Sequence, residues 1–279
     1  MVENRPLLDI LTHLVLILGV VVVAFPVYVA VIAMTHDAST LATAAPLLPG
    51  GEMINNIVSV WTYDPAGLPP FWLMVWNSTL MSLIIMGGKI AISILSAYAI
   101  VYFKFPFRLL AFWLIFITLM LPVEVRIIPT YEVVASLGML NSYWGLTIPL
   151  IASATATFLF RQFFMTIPDE LMEAARVDGA GPLKFFRDIL LPLSRTNIAA
   201  LCIILFIYGW VQYLWPLLIT TREEHFTLMM GIRQLAGVRE VEPAWNIIMT
   251  SVVLAMVPPV LIVVLMQRLF VKGLVESEK

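Results

Sequence analysis

The run Thr166-Ile-Pro-Asp-Glu-Leu-Met-Glu-Ala-Ala-Arg-Val-Asp-Gly-Ala-Gly-Pro-Leu-Lys-Phe-Phe-Arg-Asp-Ile-Leu-Leu-Pro192 holds the most structured polar pattern in the chain. Thr166 can cap a helix, with Asp169 three residues on as a return acceptor. Pro168 fits the first turn, where its missing N–H costs nothing. Asp169, Glu170 and Glu173 lie near the positive end of the helix dipole. Asp178-Gly179 stops this helix, since glycine accepts the left-handed conformation common just past a helix end. Gly181-Pro182 starts a second helix, which must stop before Pro192. On it Leu183, Phe186 and Leu190 share a face, and Lys184, Arg187 and Asp188 share the opposite one. Two short helices at an angle are predicted, and Ala174 and Ala175 leave one face flat enough for another surface to approach. A hairpin resting on lipid headgroups would explain the apolar stripe. It would not explain the spacing of Glu173, Ala174, Ala175, Asp178 and Gly179.

What surrounds this loop is almost devoid of charge. The 279 residues are 61% hydrophobic and 12% charged, where a soluble domain averages about 25% charged. That much apolar surface cannot be hidden in one soluble core, which excludes a soluble enzyme, a disordered chain and a nucleic-acid binder. An integral membrane protein in contact with lipid remains. The single cysteine, Cys202, excludes an internal disulfide, and three isolated histidines argue against a metal site.

A bilayer-crossing helix needs about 20 mostly apolar residues. The charges cut the sequence into six runs of that kind, with predicted spans at 14–34, 72–102, 109–129, 142–163, 197–219 and 245–267. Each must be helical, because lipid offers the backbone no hydrogen-bond partners. The first reads as a retained anchor, being long for a signal peptide and lacking a clean cleavage site. The predicted architecture is all-α, one transmembrane domain over 1–279 with a cytoplasmic loop at 165–194. Eleven lysines and arginines fall on the side of the tails and that loop, against four on the other side. This places both termini in the cytoplasm. The opposite loop, Thr35–Pro70, has no lysine or arginine and many prolines and glycines, and is expected to be irregular.

Lys89 is the one charge well inside a span. A central lysine is costly and usually faces protein or water. It is either an anion contact in a translocation path or paired with a carboxylate or carbonyl between helices. Glu124 and Arg126 end the shortest run, flanked by Pro122 and Pro129, where a helix break is expected. The Arg126 fork suits phosphate oxygens, and an interfacial ion pair is the alternative. Tyr208 and Gln212 are four apart, with Trp215 three beyond. Together they form a polar and aromatic stripe that either lines a cavity or glues helices together.

The loop carries a resemblance. Glu173-Ala174-Ala175, three residues, Gly179, nine residues, Ile189, one residue, Leu191-Pro192 matches the EAA loop of bacterial ABC importer permeases. The stretches Leu119–Ile127, Ala152–Phe164 and Tyr208–Pro216 resemble the carbohydrate-type importers, and among them the branch that carries sn-glycerol 3-phosphate. One departure is Val211, where that branch commonly has asparagine after the tryptophan. The resemblance implies a type I ABC importer permease fold of six transmembrane helices in the bacterial inner membrane. It implies that the loop forms coupling helices docking into a groove on an ATP-binding subunit. Glu173, Ala174, Ala175, Asp178, Gly179 and Ala180 would then form the docking surface, with Phe185 and Phe186 beside it. The implied partners are a second permease subunit, two copies of an ABC ATPase and a periplasmic substrate-binding protein. The implied cargo is sn-glycerol 3-phosphate, with glycerophosphodiesters as a further class and sugars or polyols as the alternative.

The residues themselves bear on this. No phosphate-binding G-x-x-x-x-G-K-[ST] occurs, so ATP must be bound by a separate subunit and no cofactor is expected in this chain. A secondary transporter usually needs intramembrane carboxylates, and none lies well inside a span. A membrane enzyme would need a catalytic constellation, and His13, His36 and His225 are scattered at span edges and in loops. No catalytic residue is expected.

Overall fold

In the computed structural model the described residues are 6–62, 67–118, 123–237 and 243–276. Every regular element among them is helical. In chain order these are α1 (Pro6–Ala33), α2 (Ala38–Thr43), α3 (Met53–Thr62), α4 (Phe71–Tyr102), α5 (Arg108–Ile117), α6 (Val123–Ser136), α7 (Tyr143–Leu150), α8 (Ala154–Phe164), α9 (Asp169–Val177), α10 (Pro182–Leu193), α11 (Arg195–Trp210), α12 (Leu214–Ile219), α13 (Leu228–Gly237) and α14 (Trp245–Glu276). Stretches of α1, α4 and α14 are each long and apolar enough to cross a membrane, and the bent pairs α7–α8 (45°) and α10–α11 (71°) qualify together. The chain forms two compact units, Met1–Trp72 with Gly231–Val257, and Leu73–Met230 with Pro258–Lys279.

In the first unit, α1 exposes its apolar side chains on all sides from Ile10 to Tyr28. A helix apolar all round is a membrane helix when its own chain does not cover it. The segment after it is more ordered than its prolines and glycines suggest. Asp37 caps α2, its carboxylate accepting from Thr40 N at 2.8 Å. The hydrogen bonds from Thr40 hold that carboxyl below the usual carboxylate range. The buried amide of Asn56 on α3 donates to the carbonyls of Met34 (2.9 Å) and His36 (2.8 Å) and accepts from Asn246 (2.8 Å). Short polar side chains supply here the structure that periodicity did not predict.

The second unit holds the 165–194 loop. Two of the expected spans differ in it. The 109–129 run is described as two helices on either side of 119–122, which lie outside the described residues: α5 ends at Ile117, and α6 runs from Val123 through Pro129 to Ser136. No break occurs at Pro129. Val134, 2% exposed, packs with Met81, Ile85, Leu146, Trp215 and Ile219, and such tertiary packing holds a helix despite one missing N–H. The 197–219 run is interrupted. The α11 helix ends at Trp210 and α12 begins at Leu214. In a continuous helix the Pro216 ring would clash with the Gln212 carbonyl, so the chain turns at Val211–Tyr213.

Candidate functional site

The α9–α10 hairpin follows from its local chemistry. Pro168, not Thr166, stands at the N-cap, in extended backbone (φ −60°, ψ 137°). The Thr166 hydroxyl instead donates back to the Phe163 carbonyl at 2.7 Å. Asp169 and Glu170 occupy the first turn. At the far end Gly179 takes φ +72°. Ala180 N donates to Ala175 O (2.8 Å) and Gly179 N to Arg176 O (3.0 Å), the paired bonds of a Schellman stop. The second helix then passes Pro192 rather than ending before it. Residues Phe186–Leu190 form a π turn, with Leu191 N donating to Phe186 O. The wider turn makes room for the proline ring, which an α turn would press against the carbonyl four residues back.

The six residues expected to form the docking surface and the two phenylalanines expected beside it divide into two sets. Glu173, Ala174, Asp178 and Gly179 are exposed. Ala175, Phe185 and Phe186 are buried, and Ala180 packs on the same cluster. They face Tyr98 of α4, Phe160 and Phe164 of α8, and Leu201 and Leu205 of α11. The rings of Tyr98 and Phe186 lie 5.0 Å apart, and those of Tyr102 and Phe185 5.4 Å. The Tyr98 hydroxyl donates to the Pro182 carbonyl at 2.9 Å. The hairpin therefore presents a mixed outer face, with Glu173 and Asp178 beside the exposed Val177 and Leu183, while Phe185 and Phe186 root it on α4, α8 and α11.

Within α4, Lys89 is 7% exposed. Its Nζ sits 3.9 Å from the centre of the Tyr208 ring on α11, a cation–π contact. No described carboxylate pairs with it. The contact is close because Gly209 lets the helices meet: a Cβ there would come 2.8 Å from Ser82 Cα. Arg126, exposed on the first turn of α6, lies within electrostatic reach of both Lys89 and Tyr208. Gln212 donates to the Tyr208 carbonyl at 3.1 Å from the break after α11. Lys89, Arg126, Tyr208 and Gln212 are thus brought together. Trp215 is not part of that group. It is 4% exposed on α12, and its indole donates to the Gly145 carbonyl at 3.1 Å. The Glu124 side chain lies outside the described residues.

Sequence reading missed two asparagines that shape this unit. Asn77, fully buried in α4, donates to the carbonyls of Glu224 and Phe226 (both 2.9 Å) and accepts from the Tyr143 hydroxyl (2.6 Å). Asn141 accepts from the backbone N of Thr221 (2.6 Å) and Arg222 (3.0 Å). Both pin the segment after α12. The signal for Asn77 was present, since an amide inside an apolar run must find partners. Replacing Asn77 with leucine is expected to strand these groups and cost about 3 kcal/mol, read as a lower unfolding midpoint of the detergent-solubilised protein with α-helical content retained.

Long apolar helices, a helical hairpin packed on three of them and a buried lysine, with only helices among the described regular elements, are the features of a transport permease. Residues 5–276 match the family described as binding-protein-dependent transport system inner membrane component, and the chain belongs to that family. It is 58% identical, over the full length of both chains, to the sn-glycerol-3-phosphate transport system permease protein UgpE of Salmonella typhi. It is 57% identical, again over both full lengths, to the same-named protein of Escherichia coli K12. A bacterial ABC transporter involved in the import of the acidic polysaccharide alginate has the same fold, with a TM-score of 0.83 at 18% identity over 96% of this chain and 98% of that one. The fold is the type I ABC importer permease fold.

Proposed function

We propose that this chain is one of two permease subunits in an ATP-driven importer that carries sn-glycerol 3-phosphate across the inner membrane, with glycerophosphodiesters as a second cargo class. The names of the full-length relatives support the cargo. The observation that carries the reading is a buried lysine, Lys89, beside Arg126, with no described carboxylate to neutralise it. A buried cation that no described carboxylate neutralises favours an anionic visitor. The aromatic face of Tyr208 holds Lys89 in place without cancelling its charge, and the Arg126 fork adds hydrogen-bond donors suited to phosphate oxygens. Tyr208 and Gln212 offer polar groups for the glycerol moiety.

Both termini lie in the cytoplasm on this reading, which the lysine and arginine distribution supports. The α9–α10 hairpin then docks on one of two ATPase copies, and a periplasmic binding protein delivers cargo from the other side to the chain and its partner permease. ATP binding draws the ATPases together. The exposed Glu173 face follows, and the aromatic mount carries the motion to α4, α8 and α11, switching the cavity between its two openings. A binding screen on the assembled importer with its binding protein tests the cargo. ATPase stimulation by glycerol 3-phosphate and none by neutral sugars is expected; stimulation by a neutral sugar alone would overturn it.

A further inference from the structure

We propose that the groove between α5 and α8 is a binding site for an anionic phospholipid. The groove, of about 380 Å³, is lined by Leu109, Phe112, Trp113, Phe116, Phe158 and Arg161, with Gln162 at its edge. Its floor is aromatic: Phe116 and Phe158 lie 5.5 Å apart, and Trp113 and Phe116 5.6 Å apart. Leu109 and Trp113 stay more than half exposed, at 55% and 54%, as a face built for an acyl chain would be. At one end the Arg161 guanidinium lies 4.1 Å from the centre of the Phe112 ring. Its Nε is buried and has no hydrogen-bond partner in the chain. No described carboxylate pairs with it.

A dry guanidinium N–H without an acceptor is costly, so an acceptor from outside the chain is called for. Arg161 lies in the last turn of α8, and Arg108 opens α5, one residue before Leu109 of the groove lining. On the orientation proposed above, on which this inference rests, the Arg161 end is at the cytoplasmic headgroup layer. A lipid phosphate there meets Arg161 while its chain runs down the aromatic floor. Lys104 and Arg108 add positive charge to that layer, which selects an anionic headgroup over a zwitterionic one.

The test is native mass spectrometry of the purified, assembled importer after exchange into mixed micelles of phosphatidylglycerol and phosphatidylcholine. Wild type should retain phosphatidylglycerol preferentially, Arg161→Gln should lose about fivefold of that preference, and Arg161→Lys should keep most of it. Equal retention of the two lipids by wild type, or an unchanged preference in Arg161→Gln, would overturn the site. So would loss of the partner permease from Arg161→Gln with lipid retention unaltered, which would make the groove a subunit interface. The orientation is read separately, by thiol labelling of Lys104→Cys in a Cys202→Ala background in right-side-out vesicles. Labelling without permeabilisation would refute the orientation while leaving the lipid preference itself measurable.

Discussion

Glu173→Arg and Gly179→Val are expected to cut ATP-dependent uptake by at least about tenfold while leaving the complex assembled, tenfold being about 1.4 kcal/mol of lost coupling. Glu173 is exposed and makes no described ion pair, so reversing its charge should change stability by no more than about 0.5 kcal/mol. Its effect then falls on whatever docks against it. Gly179 acts differently. A Cβ there meets nothing within 4 Å, but the backbone is held at φ +72°. A β-branched residue is strained at that angle by about 1–2 kcal/mol, and the Schellman stop that angles the two helices is distorted. ATPase activity in both variants should persist without responding to cargo. Normal uptake by both variants in a fully assembled complex would remove the hairpin from the coupling path.

Lys89→Met is expected to weaken uptake of a phosphorylated cargo by about tenfold to a hundredfold, the loss of one charge-assisted contact of roughly 1.5–3 kcal/mol. Methionine nearly preserves the volume and packing in α4, so assembly and basal ATPase activity should hold. Tyr208→Phe keeps the ring face beneath Nζ but removes the hydroxyl offered to the glycerol moiety, and should lose less uptake than Tyr208→Leu. Tyr208→Leu removes the face and frees Lys89 to move, and should lose part of the uptake. Initial rates over a range of cargo concentrations separate these outcomes. Unaltered kinetics in Lys89→Met would leave the lysine a packing residue between helices.

The sequence carried these features unevenly, for reasons that lie in the range of the interactions. The stop at Gly179 was legible because a Schellman turn is a local device written in consecutive residues. The long apolar helices α1, α4 and α14 were legible because composition alone sets them. The passage of α10 beyond Pro192 was not, since the π turn that admits the ring has no residue signature. The split of the hairpin into an exposed face and a buried aromatic root was only half visible. Phe185 and Phe186 were expected beside the docking face, but their partners, Tyr98, Tyr102 and Phe164, lie in distant parts of the chain. The stripe Tyr208–Gln212–Trp215 assumed one continuous helix. Pro216 contradicted that assumption from within the same run, and weighing it would have separated Trp215 from the other two. The choice between an anion contact and an internal ion pair for Lys89 needed the fold, because its neighbour is an aromatic ring on another helix.

The central claim is that this chain moves a phosphorylated glycerol using energy delivered to the Glu173 face. Its most direct test is uptake of labelled glycerol 3-phosphate into proteoliposomes containing the complete importer, with the binding protein outside and ATP accessible to the ATPase. Accumulation that needs ATP, is competed by unlabelled glycerol 3-phosphate and is indifferent to excess neutral sugar is predicted. Accumulation without the ATPase subunits, or competition by a neutral sugar as strong as that by glycerol 3-phosphate, would contradict it.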